Sequence, residues 1–461
     1  MAEKTNIREL ALEVLLLVER QECKLNQALH AQLLKHQYLT KQDRAFLGRL
    51  CEGVMEYRIR LDYVVDSVSK TPISKCKPLI RCLLRMGAYQ ILFLDGVPDS
   101  AACNESVKLA KKRGFARLSG FLNGVLRNLA RQKECIVYPD REQQPRKWLS
   151  VWYSLPEWLV CQWCDQYGWE RARLMAAASV ETAPLVIRRN PLRCSEETLK
   201  EVLEQEGISL LPVPVNEAME QVLPMWVQKQ VEDIAARLER VDYLSRYDSF
   251  QKGLFTVQDV SSMIPGILAQ REIVEKKQRE KTPLLVLDMC SAPGGKTAHV
   301  AACLDETDCL IARDVSAAKV EKIQENLERL GITNVQTQVQ DGREYTKELE
   351  NQVDVVLLDA PCSGLGVLGR KKDICYSMSL QQQEQLTELQ RELLLVAARY
   401  VKPGGSLIYS TCTVNCGENG ENVEWFLEQR TDFSVGEQYQ LLPGVMPLDG
   451  FFVAQFRKQK E

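Results

Sequence analysis

Residues 284–297 read LLVLDMCSAPGGKT: an aliphatic run, an acid at its end, a glycine-rich turn, and a lysine opening a helical segment. The same unit recurs downstream. "CLIARDV" precedes "AAKVEKIQENLERLG", "VQTQVQD" follows, "VDVVLLDAP" leads through a loop to "QQQEQLTELQRELLLVAARYV", and "GSLIYSTC" precedes "ENVEWFLEQ". Continuous apolar strands alternating with amphipathic helices imply a mostly parallel, doubly wound sheet covered on both faces. Ligands of such sheets bind beyond the carboxyl ends of the strands. The chemistry-bearing residues sit at those ends.

The turn "DMCSAPGGKT" has neither the GxGxxG of dinucleotide binding nor the GxxxxGK[ST] of a phosphate loop. Gly294 and Gly295 would let backbone approach a ligand closely. Asp314, ending the second strand, is placed to hold a ribose diol, and Asp341, after the third, to accept from an adenine amine. A nucleoside cofactor without a pyrophosphate fits this set, namely S-adenosylmethionine.

Upstream the pattern changes. Residues 1–142 read as helices throughout, as in "IRELALEVLLLVERQ" and "KPLIRCLLRMGAYQILFL". Residues 150–250 read as a small α+β unit with the strand "APLVIRRNP", and residues 251–461 as the catalytic domain. The expected fold is an all-α N-terminal domain, an α+β middle unit, and an α/β Rossmann-like domain. The net charge of −3 conceals an asymmetry, because residues 1–140 hold 23 Lys+Arg against 15 Asp+Glu. A basic end on an acidic body suits an anionic partner such as RNA. Arg370, Lys371 and Lys372, with Arg188 and Arg189, are further candidates for phosphate contact.

Sixteen cysteines without a framework of spacings, and only three histidines, point to reduced thiols and no metal site. No apolar run reaches the ~18 residues of a membrane span, and the first twenty residues do not read as a signal peptide. A cytoplasmic, monomeric protein is expected.

Two thiols stand out: Cys362 in "DAPCSGLG", three residues after Asp359, and Cys412 in "STCTVN". Together with "DMCSAPGGKT", "GRKKDI", the later "EN" and the terminal "DGFFVAQF", these stretches resemble the signatures of RNA cytosine-5 methyltransferases, in particular the bacterial Sun/Fmu (RsmB) group acting on small-subunit (16S) ribosomal RNA. The helical N-terminus is similar to the RNA-binding NusB fold. The resemblance implies cofactor contacts at Cys290, Ser291, Ala292, Pro293, Gly294, Gly295, Lys296, Asp314, Asp341 and Asp359. It also implies a covalent mechanism. Carbon 5 of cytosine is a poor nucleophile until a thiolate adds to carbon 6, and the adduct must later be released. Spacing alone leaves open which cysteine attacks. The family resemblance assigns attack to Cys412 and release to Cys362. Asp359 would hydrogen-bond the base at N3, and Lys296 would lie near substrate or cofactor. Two other readings stand beside this one: a tRNA cytosine-5 methyltransferase, and a non-catalytic NusB-like RNA-binding or assembly factor.

Overall fold

The structure is a computed structural model, described for residues 5–241, 243–280, 282–371 and 373–460. By internal contacts the chain forms two compact units. One comprises residues 1–180 with 370–377, and the other residues 181–369 with 378–461.

The first unit is helical. Its main helices span Ile7–Glu19, Leu25–Lys35, Lys41–Glu56, Arg58–Val68, Pro78–Phe93, Asp99–Lys112 and Ser119–Gln132. Their apolar faces converge on one core that includes Leu12, Leu47, Leu61, Leu83, Leu84, Tyr89 and Leu126. Burying each such side chain contributes about 1.5–3 kcal/mol. Helix Lys41–Glu56 packs close to Pro78–Phe93 because Gly53 offers no side chain, and a Cβ there would lie 2.0 Å from the Tyr89 ring. Arg85 is buried in that helix pair, and its charge is matched by Glu19 at 2.8 Å and Asp62 at 2.7 Å.

Three more helices, Pro145–Tyr153, Glu157–Tyr167 and Trp169–Ala178, belong to the same unit, whose contact boundary falls at Val180. The segment 370–377 packs there too. Tyr376 donates its hydroxyl to Ser154 O at 2.7 Å, and Asp373 accepts from Leu25 N at 3.1 Å. Lys371 of this segment is exposed, and Lys372 lies outside the described residues.

The second unit holds two sheets. In the first, β1 (Leu185–Arg189), β2 (Ser209–Leu211), β3 (Ala235–Glu239) and β4 (Phe255–Val257) pair antiparallel in the order β2-β3-β1-β4. Only β1 reads as a strand in the sequence. The second sheet contains β5 (Leu285–Asp288), β6 (Cys309–Asp314), β7 (Val335–Val339), β8 (Val353–Asp359), β9 (Val401–Thr411), β10 (Phe433–Leu441) and β11 (Phe451–Lys458). Their order is β10-β11-β9-β8-β5-β6-β7. Strands β5 to β9 run parallel, whereas β11 lies antiparallel to β9 and β10 antiparallel to β11. This is the expected Rossmann-like arrangement, mostly parallel, with an antiparallel edge.

Alternation along the strands fills both faces. Val286, Leu310, Val355 and Leu357 join one core with helix Val260–Arg279. Leu287, Ile311, Val356 and Leu358 join the other with helices Leu380–Tyr400 and Gly420–Gln429. From β5 the chain moves outward through β6 and β7, then returns to β8 on the opposite side. The carboxyl ends of β5 and β8 therefore flank the switch point, where a crevice forms.

No described helix is long and apolar enough to cross a membrane, and the described residues contain no group of three or more His, Cys, Asp or Glu placed to hold a metal ion.

Candidate active site

Five parallel strands deliver the expected residues to one edge of the sheet. Strand β8 ends at Asp359 and the chain then turns at Pro361 and Cys362, while neighbouring β9 ends at Thr411, next to Cys412. Register pairs Asp359 with Ser410, and the two thiols meet: Cys362 Sγ and Cys412 Sγ lie 3.2 Å apart, both partly buried. The Cys362 thiol is held well above its ordinary pKa, first by its hydrogen bond with Cys412, then by burial, and then by the negative charges of Glu418 and Asp359.

Asp359 uses both oxygens. Oδ1 accepts from Ser410 Oγ at 2.7 Å, and Oδ2 from Lys296 Nζ at 2.6 Å. Lys296 opens the helix after the glycine turn, with its ammonium 5.2 Å from the centre of the Phe451 ring. The structure thus joins Lys296 and Asp359 as a pair that the sequence presents only as separate candidates.

The turn between β5 and its helix is internally braced. Ser291 donates its hydroxyl to Asp288 O and Arg313 O, Gly294 N donates to Ser291 O at 2.6 Å, and Asn326 donates to Pro293 O. Gly294 has φ +98°, a conformation that favours glycine. Asp314 is buried at the end of β6 and faces this turn, accepting from Ala292 N at 3.0 Å while Lys319 lies 2.9 Å from its other oxygen. Cys290 is held above its ordinary pKa by burial and by the acids Asp288, Asp314 and Asp359. Asp341 follows β7 at the same edge and turns onto Arg343 at 2.7 Å, whose guanidinium keeps its carboxylate below the usual range.

Two residues of this neighbourhood are not legible as site residues in the sequence, and a third has a different place from the one expected. Asp288 is 1% exposed, accepts from Thr297 at 2.6 Å, and is pushed up to about 7, chiefly by burial. A strand-end acid was the available signal. Glu418 binds the loops of both thiols. Arg188, read from the sequence as a surface phosphate contact, is buried instead. Its β1 position turns it inward, where it donates to Gly295 O at 3.1 Å. Burial, with no carboxylate partner among the described residues, lowers it to about 9.

Gly366 and Gly450 account for two glycine-bearing signatures at once. Gly366 N donates to Cys412 O at 3.1 Å and Gly450 N to Gly366 O at 2.8 Å, so the loop after Cys362 lies backbone-to-backbone against "DGFF" and Cys412.

This arrangement has matches among known proteins. The chain matches the NusB family over residues 5–131, an RsmF/B-like methyltransferase ferredoxin-like domain over 155–222, and the 16S rRNA methyltransferase RsmB/F model over 273–457. It is 32% identical to the probable ribosomal RNA small subunit methyltransferase B of Bacillus subtilis (strain 168), over 99% of this chain and 100% of that protein. The chain belongs to the RsmB/F family of 16S rRNA methyltransferases. It is also 30% identical to the ribosomal RNA small subunit methyltransferase B of Salmonella typhi, with both chains covered in full. Among solved structures, NSun6 from Pyrococcus horikoshii with SFG shares the fold over 66% of this chain and 99% of that one, with a TM-score of 0.51 and 23% identity.

Proposed function

We propose that this methyltransferase transfers a methyl group from S-adenosylmethionine to carbon 5 of a cytosine in small-subunit (16S) ribosomal RNA, through a covalent bond between Cys412 Sγ and carbon 6. The observation that carries this reading is the thiol pair, 3.2 Å apart at the ends of β8 and β9, with the Asp359–Lys296 pair at the same edge.

The residues present fit the cofactor. Asp314 and Asp341 offer acceptors suited to hydroxyl and amine groups, at the strand ends beside the glycine turn. The NSun6 neighbour was itself solved with SFG. When bound, S-adenosylmethionine supplies an electrophilic methyl group. The chain's own residues do the rest. Attack is assigned to Cys412, and the Cys362 thiol, in contact with it at 3.2 Å and held above its ordinary pKa by that contact and by burial, is left for the release half. The Cys412 thiolate adds to carbon 6, and the displaced electron pair moves towards N3. There the Lys296–Asp359 pair donates a hydrogen bond and holds the developing charge. Carbon 5 then becomes nucleophilic enough to take the methyl group. Release passes the carbon-5 proton to a base from solvent, its electron pair re-forms the C5–C6 double bond, and the sulfur–carbon bond breaks with its pair returning to Cys412, whose departing sulfur accepts a hydrogen bond from the Cys362 thiol. Cys362, against the attacking sulfur, serves that half.

The target base must leave its stack to reach the thiol. The helical unit carries exposed Lys111, Arg117, Arg127 and Arg131, which would hold the phosphates of the surrounding RNA. The test is methyl transfer to 16S RNA from a strain lacking this gene, with nucleoside analysis and bisulfite mapping. 5-Methylcytidine at one position is the expected product. A methyl group on any other atom would overturn the reading.

A further inference from the structure

The Glu418 carboxylate is fully buried, with 0% exposure, and among the described residues no cation pairs with it. Neutral donors replace the water it has lost. Oε1 accepts from Ser363 Oγ at 2.5 Å and Asn415 Nδ2 at 3.2 Å, while Oε2 accepts from Ser363 N at 2.8 Å and Gln390 Nε2 at 2.9 Å. Four donors fill the four acceptor directions of an ionised carboxylate. A buried unpaired charge costs several kcal/mol, and apolar side chains would fill the same volume more cheaply. Its partners indicate what the charge achieves.

Ser363 directly follows Cys362, and Gln390 also donates to Pro361 O at 2.9 Å, directly before Cys362. The next residue, Asn419, treats the other thiol in the same way. It accepts from Thr411 Oγ1 at 2.6 Å and donates to Thr413 O at 3.0 Å, on either side of Cys412. A bond of 2.7 Å between Ser363 Oγ and Thr413 Oγ1 joins the two halves. Each cysteine is therefore held through both its chain neighbours, Cys412 by Asn419 directly, and Cys362 by Glu418 directly at Ser363 and through Gln390 at Pro361.

We propose that Glu418 and Asn419 are positioning residues that set the distance and mutual orientation of the Cys362 and Cys412 thiols. Neither touches substrate. This rests on the two-thiol reading and deepens it. The negative charge of Glu418 also opposes ionisation of Cys362. Glu418→Gln preserves shape but places an NH2 group where two donors already point, so one leg of the clamp must open.

The experiment compares wild type, Glu418→Gln and Ser363→Ala. Three quantities are measured: methyl transfer to hypomethylated 16S RNA, cofactor affinity by calorimetry, and the pH profile of iodoacetamide alkylation at Cys362 and Cys412, resolved by peptide mass. A displacement near 1 Å lowers kcat about 100-fold. We expect that loss for Glu418→Gln and a smaller one for Ser363→Ala, with KM for RNA and cofactor affinity within about 2-fold of wild type. Cys362 should also alkylate at lower pH in Glu418→Gln. Wild-type kcat with unchanged alkylation profiles would overturn the proposal, as would a parallel collapse of cofactor affinity. If Glu418→Gln fails to fold, Ser363→Ala carries the same test. Alkylation needs no RNA, so a shifted profile in an enzyme that methylates some other atom would keep the clamp and discard the substrate reading.

Discussion

Gly366→Ala perturbs the contact on which both thiol loops depend. The added methyl would lie 2.1 Å from Gly450 O, 2.5 Å from Gly450 C and 2.9 Å from Cys412 O. Every one of these atoms is backbone, so no rotamer change can make room. An ordinary carbon–oxygen contact needs roughly 3.2 Å or more, and the loop must therefore move by about 1 Å. Overpacking of this kind costs about 1–3 kcal/mol of stability. The larger effect should fall on the chemistry. The shift acts on Cys412 through its carbonyl, which accepts from Gly366 N, and on Cys362 four residues upstream. Misplacing the attacking sulfur by this amount lowers kcat by about two powers of ten. The assay is steady-state methyl transfer to hypomethylated 16S RNA, with cofactor binding measured by calorimetry on the same preparation. Cofactor affinity should stay near wild type, because the turn at residues 290–296 does not take part in the contact. A folded Gly366→Ala enzyme with wild-type kcat would refute the claim that this glycine pair sets the thiol geometry.

Two further outcomes follow from burial and charge. Asp288, held up to about 7 by burial, keeps in the native state a proton that the unfolded chain surrenders near its ordinary value of 3.8. Stability should therefore fall as pH rises from about 4 to 7, by at most about 4 kcal/mol, and Asp288→Asn should remove that slope in urea titrations; parallel slopes would contradict this. Replacing exposed Arg117, Arg127 and Arg131 together by Gln should weaken RNA binding and flatten the log–log salt slope by about two units, with cofactor affinity unchanged. An unaltered slope would remove these arginines from the RNA surface.

The parallel sheet and its functional edge are readable from sequence because apolar runs mark buried strands and the first polar residue after each run marks its end. Asp314, Asp359, Cys362 and Cys412 announce themselves in this way, and the structure brings the last three together with Lys296. Asp288 carries the same signal but is overshadowed by the glycine turn that follows it. What sequence does not reveal depends on tertiary contact. An arginine in "VIRRNP" reads as exposed charge, and only the pairing of β1 with β3 and β4 shows Arg188 facing inward. "GRKKDICY" reads as a loop of candidate phosphate contacts, yet Tyr376 and Asp373 pack with the helical unit. The strands β2 and β4, three residues each, lack the length to show period-two alternation. Glu418 sits in a polar stretch, "NCGENGEN", where burial leaves no trace in local pattern.

The central claim is that two thiols divide attack and release, and a denaturing gel of each variant incubated with hypomethylated 16S RNA and S-adenosylmethionine tests it directly. Cys362→Ala retains the attacking sulfur but loses help with release, so a protein–RNA adduct that survives denaturant should accumulate. Cys412→Ala, and the double variant, should form no adduct and produce no 5-methylcytidine, while still binding cofactor. An adduct with Cys412→Ala and none with Cys362→Ala would reverse the assignment. The absence of any adduct in every variant, from protein that still methylates RNA, would contradict covalent catalysis.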